Sequence, residues 1–155
     1  MRRLIKVKLT KDDKIAIDYE QMNGNSWDQY SFTCVEKALS SFYKALQDLA
    51  SYTVEMCELP KDYLSRITVR GVSFSYGGEK EVMGATISAR MKLNNSNCGL
   101  NLNTPHKASE SYSDGPADEK QLLGTDCVTD LIDLRNECWN YVDGKRAQGK
   151  LELVV

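Results

Sequence analysis

A single histidine, His106, limits the chemistry open to this chain, because any serine or cysteine nucleophile that needs an imidazole base has to use it. It stands in a polar run, LNLNTPHK (100–107), within reach of solvent. No GxSxG turn and no cysteine-protease signature accompanies it, so no catalytic residue is assigned. The five cysteines, Cys34, Cys57, Cys98, Cys127 and Cys138, are odd in number, widely spaced and without a CxxC pair. They read as reduced thiols, mostly buried, rather than as zinc ligands or disulfides, and no metal or cofactor is expected. The carboxylate pairs Asp12/Asp13, Glu79/Glu81 and Asp130/Asp133 fall at turns or on the expected solvent face of a helix. Nothing there suggests the burial that general-acid work calls for. Gly77-Gly78 does not open a helix, and no GxxxxGK[ST] loop exists. A helix start near Gly124-Thr125-Asp126 would repel an anion through Asp126.

What remains is a set of arginines and hydroxyls on one hairpin. The run ITVRGVSFSYGGEKEVMGATISARMKL (67–93) alternates like two strands joined at Gly77-Gly78. With a three-residue loop, Gly77-Gly78-Glu79, Val69 lies opposite Ile87 and Ile67 opposite Ala89. That register gives one apolar face. The other face then gathers Arg66, Thr68, Arg70, Thr86, Ser88 and Arg90. Guanidinium groups suit phosphate and the hydroxyls add short contacts. Phe74 and Tyr76, on that face by the same alternation, would stack on a base. Asn101, Asn103 and His106, just beyond the hairpin, would read its edge. A solvated sheet face has much the same composition, so alternation alone does not require a ligand.

The elements that position this hairpin follow from hydrophobic period. Residues 3–10 alternate with Ile5, Val7 and Leu9 inward, and Ile15, Ile17 and Tyr19 continue in a second strand. Asn23-Gly24 is a hairpin signal, and a third strand runs from Trp27 to Cys34. From Val35, through Leu39, Phe42, Leu46 and Leu49, the period becomes helical for about fifteen residues. Residues 52–59 fit a continued helix or an edge strand, and Pro60 ends either. A short strand is expected within 98–103, with Leu100 and Leu102 inward, then a mobile loop at about 108–118. A last helix, Thr125 to Arg146, carries Cys127, Leu131, Leu134, Cys138 and Tyr141 on one stripe, with Thr125 as its cap. Leu151, Leu153 and Val155 suit a final strand or a tail exchanged with a second subunit. The fold class is α+β: one domain, 1–155, with an antiparallel sheet and two amphipathic helices packed on one face.

Composition is that of an ordinary globular domain, 41% hydrophobic and 27% charged, with a net charge of −2. No global field draws in nucleic acid, and no apolar run approaches membrane-spanning length. The start, MRRLIKVKLT, lacks the apolar core of a signal peptide, so a cytoplasmic location is expected.

The stretches ITVRGVSFSYGGE (67–79), VMGATISA (82–89), LNLNTPHK (100–107) and RNECWNYVDGKRAQ (135–148) resemble a family of phage and prophage proteins of Gram-positive gut bacteria. The likeness extends over most of the chain. It implies an accessory protein acting in the host cell, either handling DNA or countering host defence, and it carries over no catalytic residue. The reading that joins resemblance and residues is a non-enzymatic binder of a nucleotide-like, phosphate-bearing small ligand, sequestering a host defence signal. Its alternatives are an accessory protein for single-stranded DNA or recombination and a protein–protein inhibitor of a host enzyme. A homo-oligomer is expected, with the stripe of the last helix as the seam or, equally, as core. On this reading Arg70→Ala abolishes ligand binding and leaves the fold intact, as a titration paired with a thermal melt would show.

Overall fold

The computed structural model describes residues 1–112, 115 and 117–147. Seven strands form one sheet: β1 (Arg2–Leu9), β2 (Ile15–Asn23), β3 (Ser26–Cys34), β4 (Ile67–Gly77), β5 (Val82–Met91), β6 (Leu100–Asn103) and β7 (Lys107–Ala108). The order is β3-β2-β1-β4-β5-β6, with β7 also pairing β5 further along. All these pairings are antiparallel. Three helices, α1 (Ser40–Gln47), α2 (Ala50–Met56) and α3 (Thr125–Val142), share one core with one face of the sheet. The α+β class expected from hydrophobic period is the one observed.

The opening meander forms as its sequence predicts, and Gly24 takes the positive φ (63°) that lets two residues turn β2 into β3. Its faces differ in one respect. The β1–β2 register steps from Leu4↔Tyr19 to Lys6↔Asp18, so Ile5 is the extra residue of a bulge. Leu4, fully buried, takes the inward place expected of Ile5, and Val7 follows it into the core.

A second bulge changes the central hairpin. The β4–β5 register steps from Val69↔Ala89 to Gly71↔Ser88, leaving Arg70 unopposed. Apolar residues stand at 67 and 69, then at 72, 74 and 76, and only an inserted residue puts both sets on one side. The expected pairing of Val69 with Ile87 is therefore replaced by Val72↔Ile87. The loop holds four residues, 78–81, because Gly77 pairs with Val82. Phe74 is 5% exposed, deep in the core, so it cannot stack on a ligand at the other face.

The helices also depart from expectation in detail. The first breaks at Asp48-Leu49 into α1 and α2, and helix rather than strand continues through Met56. Val35 lies outside the apolar stripe and is 69% exposed. Gly124, not Thr125, occupies the cap position of α3, which ends at Val142. The α3 stripe is buried within the subunit at Cys127, Leu131, Leu134, Cys138 and Tyr141, so it is core rather than a free seam. In β6, Leu100 is 45% exposed instead of inward, because the strand is at the sheet's rim. The expected mobile loop begins tied down. Ser109 N donates to Met83 O at 2.7 Å, and Leu123 N donates to Ala108 O at 2.8 Å. The expectation for Leu151, Leu153 and Val155 lies outside the described residues.

Of the five free cysteines only Cys127 and Cys138 are buried. Burial pushes the Cys127 thiol up to about 12 and raises that of Cys138. A hydrogen bond with Tyr141 is the main influence lowering the pKa of half-buried Cys34.

Gly71, next to the second bulge, lets β1 approach β4 closely: a Cβ there would lie 2.5 Å from the Val7 carbonyl oxygen. That obstacle is backbone in a central strand and cannot swing aside. Gly71→Ala is expected to cost about 1–3 kcal/mol, read as a lower denaturant midpoint with an unchanged slope.

Candidate functional site

The face of the sheet away from the helices holds a broad, open depression of about 1450 Å³. It spans β1, β4, β5 and β6. β1 contributes Lys6 and Lys8, which alternate with buried Val7. β4 contributes Thr68 and Ser73, and β5 contributes Thr86, Ser88 and Arg90. Arg66 and Lys92 stand where the hairpin's free ends meet, and Arg66 Nε donates to Lys92 O at 2.9 Å. Asn97, Asn101 and Asn103 form the far rim, while the β1–β2 turn brings Lys11, Asp12 and Asp13. Among the described residues seven basic side chains thus face two acidic ones, in a chain whose net charge is −2. Lys6, Lys8, Arg90 and Lys92 make no ion pair among the described residues.

The arginines are held in different ways. Arg90 lies across Gly99, where a Cβ would come within 2.6 Å of its Nε, and its side chain is exposed. Arg66 stacks its guanidinium over Tyr63, 4.4 Å from the ring centre. Arg70 is committed to the scaffold. From its bulge it donates to Thr10 O at 2.5 Å and Leu9 O at 3.3 Å, with Asp13 at 3.5 Å. It closes the gap that opens where β1 stops pairing with β4, beyond Lys8↔Gly71. The expectation that Arg70→Ala removes binding and spares the fold is therefore corrected, because its donors already serve backbone carbonyls.

Ser88 donates to Asn103 Oδ1 at 2.8 Å, across the pair that joins β5 to β6. Asn101 lies opposite Arg90 in the same ladder. Tyr76 faces the core side and donates to Leu4 O at 2.7 Å, so it, like Phe74, is removed from the site. No aromatic residue lines the depression among the described residues. The face that assembles consists of Arg66, Thr68, Thr86, Ser88, Arg90, Asn101 and Asn103, with Arg70 at its floor.

His106 sits one outward pair further along the hairpin. Ser73 opposes Thr86, then Ser75 opposes Gly84, and the imidazole lies over Gly84. Ser75 Oγ and His106 Nε2 are hydrogen bonded at 2.7 Å. A Cβ on residue 84 would meet Nε2 at 2.5 Å, so the ring's seat depends on that glycine. The backbone just before it is anchored at buried Thr104, which bonds Ile87 through both its N–H and its hydroxyl. Among the described residues no carboxylate meets the ring's other nitrogen, and the seat places His106 beside the depression with Ser75 as its side-chain hydrogen-bond partner.

Lys6, Lys8, Ser73, Ser75 and Lys92 were not among the expected site residues. The alternation of β1 already put Lys6 and Lys8 opposite the core. That β1 lies beside β4 is a long-range fact with no sequence signal. Among the described residues no group of three His, Cys, Asp or Glu side chains is arranged to hold a metal ion, and no helix is long and apolar enough to cross a membrane. No family model, curated protein or solved structure matches this chain.

Gly84→Ala should dislodge the imidazole and leave the sheet standing, since the obstacle is an exposed side chain free to move. The expected outcome is a shift of the His106 ring resonances in NMR, with stability changed by less than about 1 kcal/mol. Arg70→Ala should instead lower stability by about 1–2 kcal/mol, seen as a lower melting temperature, as the β1–β2 turn loses its ties.

Proposed function

We propose that this protein binds, without chemistry, a nucleotide-like, phosphate-bearing small ligand on the outer face of its sheet. One observation carries the reading. Lys6, Lys8, Arg90 and Lys92, free of ion pairs among the described residues, surround the hydroxyls of Thr68, Ser73, Thr86 and Ser88 in a single depression. Leaving such charges unpaired on one face disfavours folding slightly and favours an anion there. Phosphate oxygens would be met by the cations and hydroxyls, while Asn101, Asn103 and His106 offer polar edges to a base. Base stacking drops out, because Phe74 and Tyr76 face the core. The phage resemblance supports sequestration of a host defence signal as the purpose of such binding.

The size of the depression favours a second reading. At about 1450 Å³ it exceeds the roughly 300–1,000 Å³ of most small-ligand sites and would admit a longer polyanion such as single-stranded DNA. The absence of aromatic lining among the described residues argues against the stacking that such binders use.

A thermal-shift series with ATP, inorganic tripolyphosphate and a single-stranded oligonucleotide separates these readings. A ligand at a hundred times its dissociation constant stabilises the fold by about 2.7 kcal/mol, several degrees for a domain of this size. The expected result is a shift with ATP that exceeds the one with tripolyphosphate. The double variant Lys8→Glu, Arg90→Ala should weaken it at least tenfold with the apo melting temperature unchanged. A shift with the oligonucleotide alone, lost steeply with salt, would favour the DNA reading, and no shift with any of the three would sink both.

A further inference from the structure

The two edges of the sheet are finished differently. One is broken into short pieces, β6 with four residues and β7 with two, separated by Thr104, Pro105 and His106. The other is β3, nine residues long, whose pairing with β2 runs without a bulge through nine consecutive pairs from Cys34 to Ser26. Edge strands that remain solitary are usually interrupted by lysine, proline, a bulge or a covering segment. β3, SWDQYSFTC, has no lysine, arginine or proline, and Asp28 is its one charged residue. Its outer row of N–H and C=O groups has no strand beside it among the described residues. Tyr30, 43% exposed, and Val35, 69% exposed, stand along this edge and just past its end. Tyr30 is stacked on Tyr19 with ring centres 5.2 Å apart, and Tyr19 meets Trp139 edge-on.

We propose that β3 is a homodimer interface, in which a second copy of this chain adds its own β3 antiparallel across a two-fold axis. The edge calls for an extended, nearly uncharged strand of matching length, and β3 itself meets that description. In an antiparallel pair, opposed residues lie on the same face, so a two-fold axis through Tyr30 uses all nine residues. Gln29 of one copy then lies opposite Ser31 of the other, and Asp28 lies opposite Phe32, so no like charges meet. Both copies turn their helices to one side. Their cationic depressions share the opposite side, with the two β4 strands seven strand spacings, about 34 Å, apart along a continuous sheet. The interface does not rest on the proposed ligand, and it moves the seam from α3, whose stripe is spent on the core, to the sheet edge.

Sedimentation of the full chain at about 100 μM tests this, alongside the double variant Gln29→Lys, Ser31→Lys. Both positions are exposed on the outer face, and in the proposed register the variant sets four ammonium groups around the axis. The expected result is twice the chain mass for the wild type and a single chain mass for the variant, with equal melting temperatures at low concentration. Hydrogen exchange should show the outward β3 amides protected in the wild type only. A monomeric wild type would overturn the proposal. So would a dimer that survives the lysines with β3 amides unprotected. A wild-type monomer that becomes a dimer when cut after Ala147 would overturn it in favour of residues 148–155 as the edge's occupant.

Discussion

The extra residue in β4 is the constraint on which the arrangement of this protein depends. Without the bulge at Arg70, Val72, Phe74 and Tyr76 would face solvent on the side opposite Ile67 and Val69. Burying a valine and a phenylalanine is worth about 1.5–3 kcal/mol each. A disturbed ladder position forfeits one or two hydrogen bonds at a net of about 1 kcal/mol apiece. Burial wins, and the bulge is the means. It also decides which polar residues reach the outer face: Thr68 and Arg90 before it, and Ser73, Thr86 and Ser88 after it. The depression is thus a consequence of how the core is completed.

A bulge leaves backbone groups to satisfy, and two side chains do this from opposite sides. β1 pairs with β4 only from Lys6↔Ser73 to Lys8↔Gly71, so the first residues of β4 have no strand on that edge. Gln47, at the end of α1, behaves there like a short piece of strand. Its Nε2 donates to Ile67 O at 2.9 Å, and its Oε1 accepts from Val69 N at 3.1 Å. Arg70 holds the diverging β1–β2 turn from the other side. The division of labour among the cations follows: the arginine nearest the break is structural, Arg66 at the hairpin's end is tied to Lys92 O and Tyr63, and Lys6, Lys8, Arg90 and Lys92 make no ion pair among the described residues. Tyr141 does a similar service for α3, its hydroxyl donating to Glu36 O and joining the helix to the segment that follows β3. The side-chain ties described here lie mostly where regular pairing stops.

Much of this was readable beforehand. Period-two alternation marked β1 to β5, helical period marked α1 and α3 but left residues 52–59, within which most of α2 falls, open between helix and strand, and Asn23-Gly24 marked the tightest turn. The inward set of β5, Met83, Ala85, Ile87, Ala89 and Met91, was visible in the alternation and is the set observed. The break in period within ITVRGVSFSY was also printed in the sequence, at the step from Val69 to Val72. A single strand cannot show whether such a break means a bulge or a change of partner, because the decision rests with the core that receives the side chains.

The sequence by itself determined which residues are apolar, at what spacing, and therefore which segments become strands or helices. That is local information, carried by side-chain period and turn chemistry. Tertiary structure alone decided that β1 lies beside β4, bringing Lys6 and Lys8 to the hairpin's polar face, and that Gly84 is bare because an imidazole rests on it. It also decided that Arg70 serves the scaffold rather than the surface. Each of these is a contact between residues distant in the chain, set by mutual burial and by the need to pair every backbone group left over at a bulge or strand end.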